Sequence, residues 1–482
     1  MVAAVRLGPL AWLAGAALAG LAAALAVALP SPLMWAVPAV ALVGLGLAIV
    51  RPSPVGWLGI VLALQVFQLG GERGTAALEV IAGLALVGYI GAWYALAILA
   101  RRRVVTSLFD VAAVTWGTVG LAAAAVLGQL FGADAYDFRA DVLATLPFLL
   151  YLPVKDTCAR NPRGVWVVLG VIVLFGLVAT VQSVRDFRRV ISGATALWEI
   201  ADARFTASES AITAALLLST AALTIVRGRA RHLLILVGIG FLLGGLILTK
   251  SRGYWVAALL GLLAMGVFSR GEGRRRMATA LVLGSGLLLA AAFVFFTDQI
   301  VLVATGSANR LLSLASAGQD ISLLNRFAET RAAWEMILHN PVLGYGWGVQ
   351  VSYYGLISQG TVTWAFLHNG YVALWLKTGL WGLLLMLTVW GGAITRGAAT
   401  ARDRALAPAL RIGGLGAAAT LSALTLSAIT SNPFSILDQM FIFTLMVALA
   451  HGAADHAAWH MPVAVSGAEP GEDAHAPVPS PL

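Results

Sequence analysis

Apolar runs of about 17–25 residues recur along nearly the whole chain, each long enough to cross a hydrocarbon core about 30 Å thick. Only 11% of the residues are charged, against about 25% in an ordinary globular domain. The pattern predicts an all-α polytopic transmembrane helix bundle of about 12–14 spans. They fall near 9–29, 32–50, 54–70, 76–100, 105–130, 141–154, 164–182, 208–226, 232–249, 253–269, 277–297, 366–392, 412–430 and 434–451. The run near 9–29 is too long for a signal peptide and more spans follow at once, so it reads as a span. The run near 141–154 is short enough to be re-entrant. Cys158 is the only cysteine, which excludes an intrachain disulfide and a cysteine-based metal cluster.

The net charge of +9 does not signal nucleic acid, because most of the 31 lysines and arginines sit in short loops between spans. With the N-terminus cytoplasmic, Arg6, Arg51, Arg101 to Arg103, Lys155/Arg160/Arg163, Arg227/Arg229/Arg231, Arg270/Arg274/Arg275/Arg276 and Arg396/Arg402/Arg404/Arg411 all fall inside. The opposite orientation exports the triple arginine, against the positive-inside bias. Both termini are therefore expected in the cytoplasm. The organisation is then an N-terminal bundle over 1–297, an extracytoplasmic loop over 298–365, a C-terminal bundle over 366–452 and a tail over 453–482, disordered from Met461.

Basic residues on the translocated side oppose the topology signal and call for another explanation. They lie at Arg185, Arg188, Arg189 and Arg204 in an outer loop of about 183–207, at Lys250 and Arg252, and at Arg310, Arg326 and Arg331 in the long outer loop. An anionic ligand is one explanation; pairing with Asp186, Glu199 and Asp202, or with lipid headgroups, is the other. Within the long loop, 321–340 carries Phe327, Trp334 and Leu338 at near-helical spacing. It reads as an amphipathic helix near the outer membrane surface, ended by Pro341 and the turn Gly344-Tyr345-Gly346-Trp347-Gly348.

Candidate chemistry rests on few residues. Arg252, in Thr249-Lys250-Ser251-Arg252-Gly253, sits between two apolar runs with almost no loop, and either binds pyrophosphate through its planar fork or snorkels. Arg326 is a second phosphate clamp or the partner of Glu329, three residues on. Of seven histidines, only His339 and His368 fall on the outer side. His339 ends a helix; His368 begins a span and is the better base. His456 and His460 are four apart, but a solvated tail accounts for them. Gly344-x-Gly-x-Gly lacks the strand and Lys-Ser/Thr of a phosphate loop and reads as a turn. No outer carboxylate cluster signals a metal, so none is expected, and no other cofactor.

Three ordered blocks resemble the O-antigen ligase and polymerase superfamily of bacterial envelopes. They are Thr249 to Gly253 with Tyr254-Trp255; Arg326-Phe327 leading to Pro341-Val342-Leu343-Gly344-Tyr345-Gly346; and His368-Asn369-Gly370-Tyr371 with Gly379-Leu380-Trp381-Gly382. They cover about 249–382. Two positions depart: Lys377 stands where the family often has an acid, and Thr330 where a tryptophan is common, with Trp334 one turn later. The resemblance implies a metal-independent glycosyltransferase whose donor is a glycan on undecaprenyl pyrophosphate. Arg252 and Arg326 would hold the pyrophosphate and His368 would serve the acceptor hydroxyl. Ser251, Asn369, Tyr345, Trp347 and Arg331 would support them; Asn369 would orient the histidine or a sugar, and Tyr345 and Trp347 would stack on sugars unless they are core. The site would face outward from a bacterial inner membrane. The acceptor would be a lipid-linked repeat unit in a polymerase, the first reading. In a ligase it would be lipid A–core, and in an oligosaccharyltransferase a protein serine. A lipid-linked glycan transporter is the reading outside this class. Membrane lipids and a chain-length regulator protein would be partners.

Overall fold

The computed structural model describes residues 88–193, 208–286 and 321–460, apart from 92, 102, 270, 272, 280, 281, 284 and 285. The spans near 9–29, 32–50 and 54–70, most of those near 76–100 and 277–297, Arg204, Arg310 and the tail beyond His460 lie outside the described residues. Lipid offers no partner to a backbone N–H or C=O, so spanning segments are helices. Among the described residues seven helices are long and apolar enough to cross a membrane. The chain is an integral membrane protein, an all-α bundle.

In chain order the helices are α1 (Leu108–Leu130), α2 (Ala135–Arg160), α3 (Pro162–Gly193), α4 (Glu209–Ile225), α5 (Arg229–Leu248), α6 (Arg252–Phe268), α7 (Ile321–His339), α8 (Gly370–Arg402), α9 (Pro408–Thr430) and α10 (Leu437–His460). A capping box starts α1: Ser107 and Asp110 each accept the other's backbone N–H. Asp134 caps α2, and a 3-10 turn at Leu146–Leu150, around Pro147, interrupts its α-helical hydrogen bonding. The short run near 141–154 is thus the middle of a 26-residue helix. Charged residues hid its length. Two other expectations change. α3 runs on to Gly193, so Arg185, Arg188 and Arg189 are on a helix rather than in a loop, and Arg185 pairs with Asp186 at 3.5 Å. α10 runs through 453–460, where a tail was expected, and His456 Nδ1 meets the Ala159 carbonyl at 2.7 Å.

α9 lies between α4, α6, α8 and α10. Without a hydrophobic drive between helices in lipid, small residues set the closest contacts. A Cβ on Gly414 would lie 2.7 Å from the Gly397 carbonyl of α8, and one on Gly416 would lie 2.3 Å from Leu218 of α4. A buried ionic cluster ties α1, α2, α8 and α10 together. Lys155 Nζ lies 2.7 Å from both Asp110 and Asp455, and Arg396 also pairs with Asp455. Lys155 and Arg396 are therefore interior charges balanced by carboxylates, not loop charges. His451 is fully buried beside them, with Arg396 Nη1 at 3.1 Å.

Between α7 and α8 the chain makes a turn and a two-stranded hairpin, β1 (Val351–Gly355) and β2 (Gly360–Trp364), antiparallel with Val351 opposite Trp364. The turn is held by a break in α8. Gly379 has φ +70, so Leu376 and Lys377 lose their helical acceptor duty. Their carbonyls take the N–H groups of Tyr345 (2.8 Å) and Gly346 (3.0 Å), while Leu380 N–H turns to the Pro341 carbonyl (3.0 Å). On its other side Trp347 N–H bonds the Ala124 carbonyl of α1 at 2.9 Å. Gly346 has φ +86, and a Cβ there would lie 2.0 Å from Gly128 N. Gly346→Ala is expected to cost about 1–3 kcal/mol in backbone strain alone, plus the collision. Gly132→Ala shares a positive φ but has nothing within 4 Å. Thermal unfolding in detergent checks this: equal losses for the two variants would refute the wedged turn.

Candidate functional site

His368 stands two residues before the first residue of α8. Asn369 caps that helix, its Oδ1 accepting Val372 N–H at 3.2 Å. The residue ahead of a capped helix start has a fixed direction, and here both of its donors point at one carboxylate. His368 N–H lies 2.5 Å from Glu329 Oε1, and Nδ1 lies 2.9 Å from Oε2. Glu329 is 1% exposed, whereas the His368 side chain is 34% exposed. An ionised carboxylate only accepts, so Nδ1 carries the proton, and in the neutral imidazole that tautomer puts the lone pair on Nε2. Phe366 packs edge-on against the imidazole at 5.1 Å. The arrangement is a histidine base with an orienting acid behind it.

Glu329 comes from α7, whose buried stripe is Glu329, Ala333 and Ile337. Phe327, Trp334 and Leu338, which mark the apolar face in the sequence, are instead exposed at 62%, 42% and 63%. Small Ala333 permits close approach to the start of α8, and the bulky side chains face outward. Ala333 and Ile337 pack with Val351, Leu367, Val372 and Leu376. β1 brings Tyr353 to the same carboxylate. Burial first, then the Glu329 charge, push its phenol above the usual range, partly offset by Asn325.

The turn after α9 is the common seat of the three blocks. Arg326 Nη1 donates to the Thr430 carbonyl at 2.8 Å. A Cβ on Gly253, the residue after Arg252, would lie 2.9 Å from Thr430 Oγ1, and one on Gly370 would lie 3.3 Å from the Ser431 carbonyl. Arg252 opens α6 behind its N-cap Ser251. Lys250 supplies the sharp reversal from α5, with φ +49. Glu329 is thus the partner of His368, and Arg326 reaches Thr430.

The other sequence candidates stand elsewhere. Arg331 is on the outer face of α7, its side chain 84% exposed and paired with Glu335 at 3.2 Å. Trp347 is buried, its Nε1 donating to the Leu121 carbonyl, and Tyr345 donates its hydroxyl to the Met336 carbonyl at 3.0 Å. Both hold the turn. His339 ends α7, Nδ1 meeting the Glu335 carbonyl. Among the described residues no three His, Cys, Asp or Glu side chains converge as metal ligands.

Sequence reading missed Glu329 as a site residue and missed the hairpin. The signal for the first was an acid at i−4 and i−8 from Ala333 and Ile337. For the second it was β-branched and aromatic residues on either side of Gly355 and Gly360.

Fold and site together define an integral membrane protein with a His–Glu pair and two arginine-bearing blocks gathered at one end of its bundle. Residues 234–387 match the family model described as O-antigen ligase, which supports the O-antigen ligase and polymerase superfamily and a membrane glycosyltransferase of that type. That stretch contains Arg252, Arg326, Glu329 and His368. No curated protein matches the chain.

Proposed function

We propose that the protein moves a glycan from undecaprenyl pyrophosphate to an acceptor hydroxyl at the outer face of a bacterial inner membrane, as a polysaccharide polymerase. The observation that carries this reading is the His368–Glu329 pair, which engages Nδ1 of a partly exposed imidazole and leaves Nε2 to act as the base in the neutral ring. The acceptor oxygen bonds to the anomeric carbon as the bond from that carbon to pyrophosphate breaks. Its proton passes to Nε2. Arg252 and Arg326 offset the charge that grows on the leaving pyrophosphate. No metal is needed.

The arginine-rich span ends opposite His368 support the outward-facing orientation. A ligase acting on lipid A–core is the second reading, favoured by the description of the matching family model.

The test is purified protein with undecaprenyl-pyrophosphate-linked repeat units alone. A ladder is expected, and His368→Ala is expected to slow its growth by about 10²–10⁴. Arg252→Ala should abolish it as well. Product only after lipid A–core is added would make the protein a ligase. Donor binding with no turnover of any acceptor would leave transport.

A further inference from the structure

The arginines assigned from the sequence to topology do more than fringe the bundle. At the ends of α4, α6, α8 and α9 remote from His368 they wall a cavity of about 330 Å³. Arg227 follows α4, Arg276 follows α6, Arg402 closes α8, Arg404 lies in the next turn and Arg411 opens α9; Ser269 lines the same space. From Arg411 to Thr430 along α9 is about 28 Å at 1.5 Å per residue, near the thickness of a hydrocarbon core. The cavity and the His368 site therefore lie at opposite membrane faces.

A positive-inside bias asks for charge near span ends; it does not ask for a concave seat. Among the described residues no carboxylate forms an ion pair with Arg227, Arg402, Arg404 or Arg411. Two buried polar atoms at the cavity, Arg411 Nε and Ser269 Oγ, have no hydrogen-bond partner there, and Ser269 is only 9% exposed. A buried polar atom that has given up water without gaining a partner is destabilising. Five guanidinium groups around one space also repel. A ligand that accepts several hydrogen bonds and carries negative charge answers both, and the guanidinium fork matches phosphate. A second, more open cleft adjoins, lined by Arg229 and His232 with Leu233 and Leu236; it shares Arg227 and Arg276. Leu233 is 63% exposed. Two seats sharing two arginines, with exposed Leu233 alongside, suit two phosphates next to acyl chains. Basic pockets between membrane helices bind such headgroups.

We propose that this cavity is a binding site for a phosphate-bearing anion on the face opposite the transfer site. The chemistry is shared by an anionic lipid headgroup and by a soluble phosphate, and the test separates them. Purified full-length protein in a zwitterionic detergent is titrated with cardiolipin, with phosphatidylcholine and with inorganic pyrophosphate. Binding is read by native mass spectrometry and by the shift in Tm. Cardiolipin is expected to bind and raise Tm where phosphatidylcholine does not, with affinity about tenfold lower in Arg411→Gln and in Arg404→Gln, a loss of about 1.4 kcal/mol. Arg163→Gln, an exposed arginine outside the cavity, should bind as wild type. Binding of pyrophosphate with the same sensitivity, in place of cardiolipin, assigns the site to a soluble phosphate. Arg404 is exposed, so Arg404→Gln keeps the test open if Arg411→Gln does not fold. Binding equal in wild type and in Arg404→Gln, or no binding of either phosphate ligand, overturns the proposal.

Discussion

Glu329→Gln is expected to slow glycan transfer by about 10²–10⁴, as much as loss of the histidine itself. The geometry explains why an almost isosteric change is so costly. One oxygen of Glu329 accepts the His368 backbone N–H and the other accepts Nδ1–H. In Glu329→Gln the single amide oxygen stays with the backbone donor, which has no other acceptor here. The amide NH₂ then faces Nδ1 and donates to it. Nδ1 becomes the acceptor, the ring proton moves to Nε2, and the base is gone. Glu329→Ala removes the orienting group without imposing the wrong tautomer, so its loss should be no larger than that of Glu329→Gln. The readout is kcat, with KM for the lipid-linked donor and Tm followed in parallel. A positioning role lowers kcat and leaves donor KM near wild type. A purely structural role lowers Tm and both variants' yield of folded protein. A Glu329→Gln enzyme with wild-type kcat would rule out the pair as base and orienter.

The spans were legible because lipid imposes a length and a composition on every crossing segment. α4, α5, α6 and α9 begin and end within about four residues of the runs read from the sequence, ordinary scatter for helix ends. α2 was legible only in its middle. Asp137, Arg139, Asp141, Lys155 and Asp156 flank the apolar run, and charged residues count against a span until their partners are known. Those partners are remote: Asp141 meets Lys377, and Lys155 meets Asp455. The site divides in the same way. His368 stood out because it opens a span on the outer side. Glu329 did not, because Arg326, three residues before it on the same helix, is the partner that local spacing offers, and no local rule pairs it with a histidine beyond a hairpin. The turn at Gly344 to Gly348 was recognisable as a turn, but its seat against a broken α8 depends on carbonyls freed at Gly379, a tertiary fact.

Lys377→Met should destabilise the protein by about 3–5 kcal/mol, the usual cost of leaving one charge of a buried pair without its partner. Lys377 is 1% exposed and its ammonium lies 2.6 Å from Asp141 Oδ1; the other Asp141 oxygen accepts Gly348 N–H at 2.7 Å. The pair thus joins α8 and α2 to the end of the turn that Leu376 and Lys377 already hold through their carbonyls. Where the superfamily often carries an acid, this chain has the base, and it takes its acid from α2. Replacing the lysine alone strands a carboxylate in the interior. Replacing both, as Lys377→Met with Asp141→Leu, removes the stranded charge and leaves only Gly348 N–H short of an acceptor, about 1–3 kcal/mol. The double variant should therefore be more stable than Lys377→Met alone, a strongly non-additive cycle. Thermal unfolding of the four proteins in one detergent measures it. Simple additivity of the two single losses would mean that the ion pair does not hold the turn. A recovered Tm with unrecovered transfer would mean that the pair also fixes where α8 begins, and with it where His368 stands.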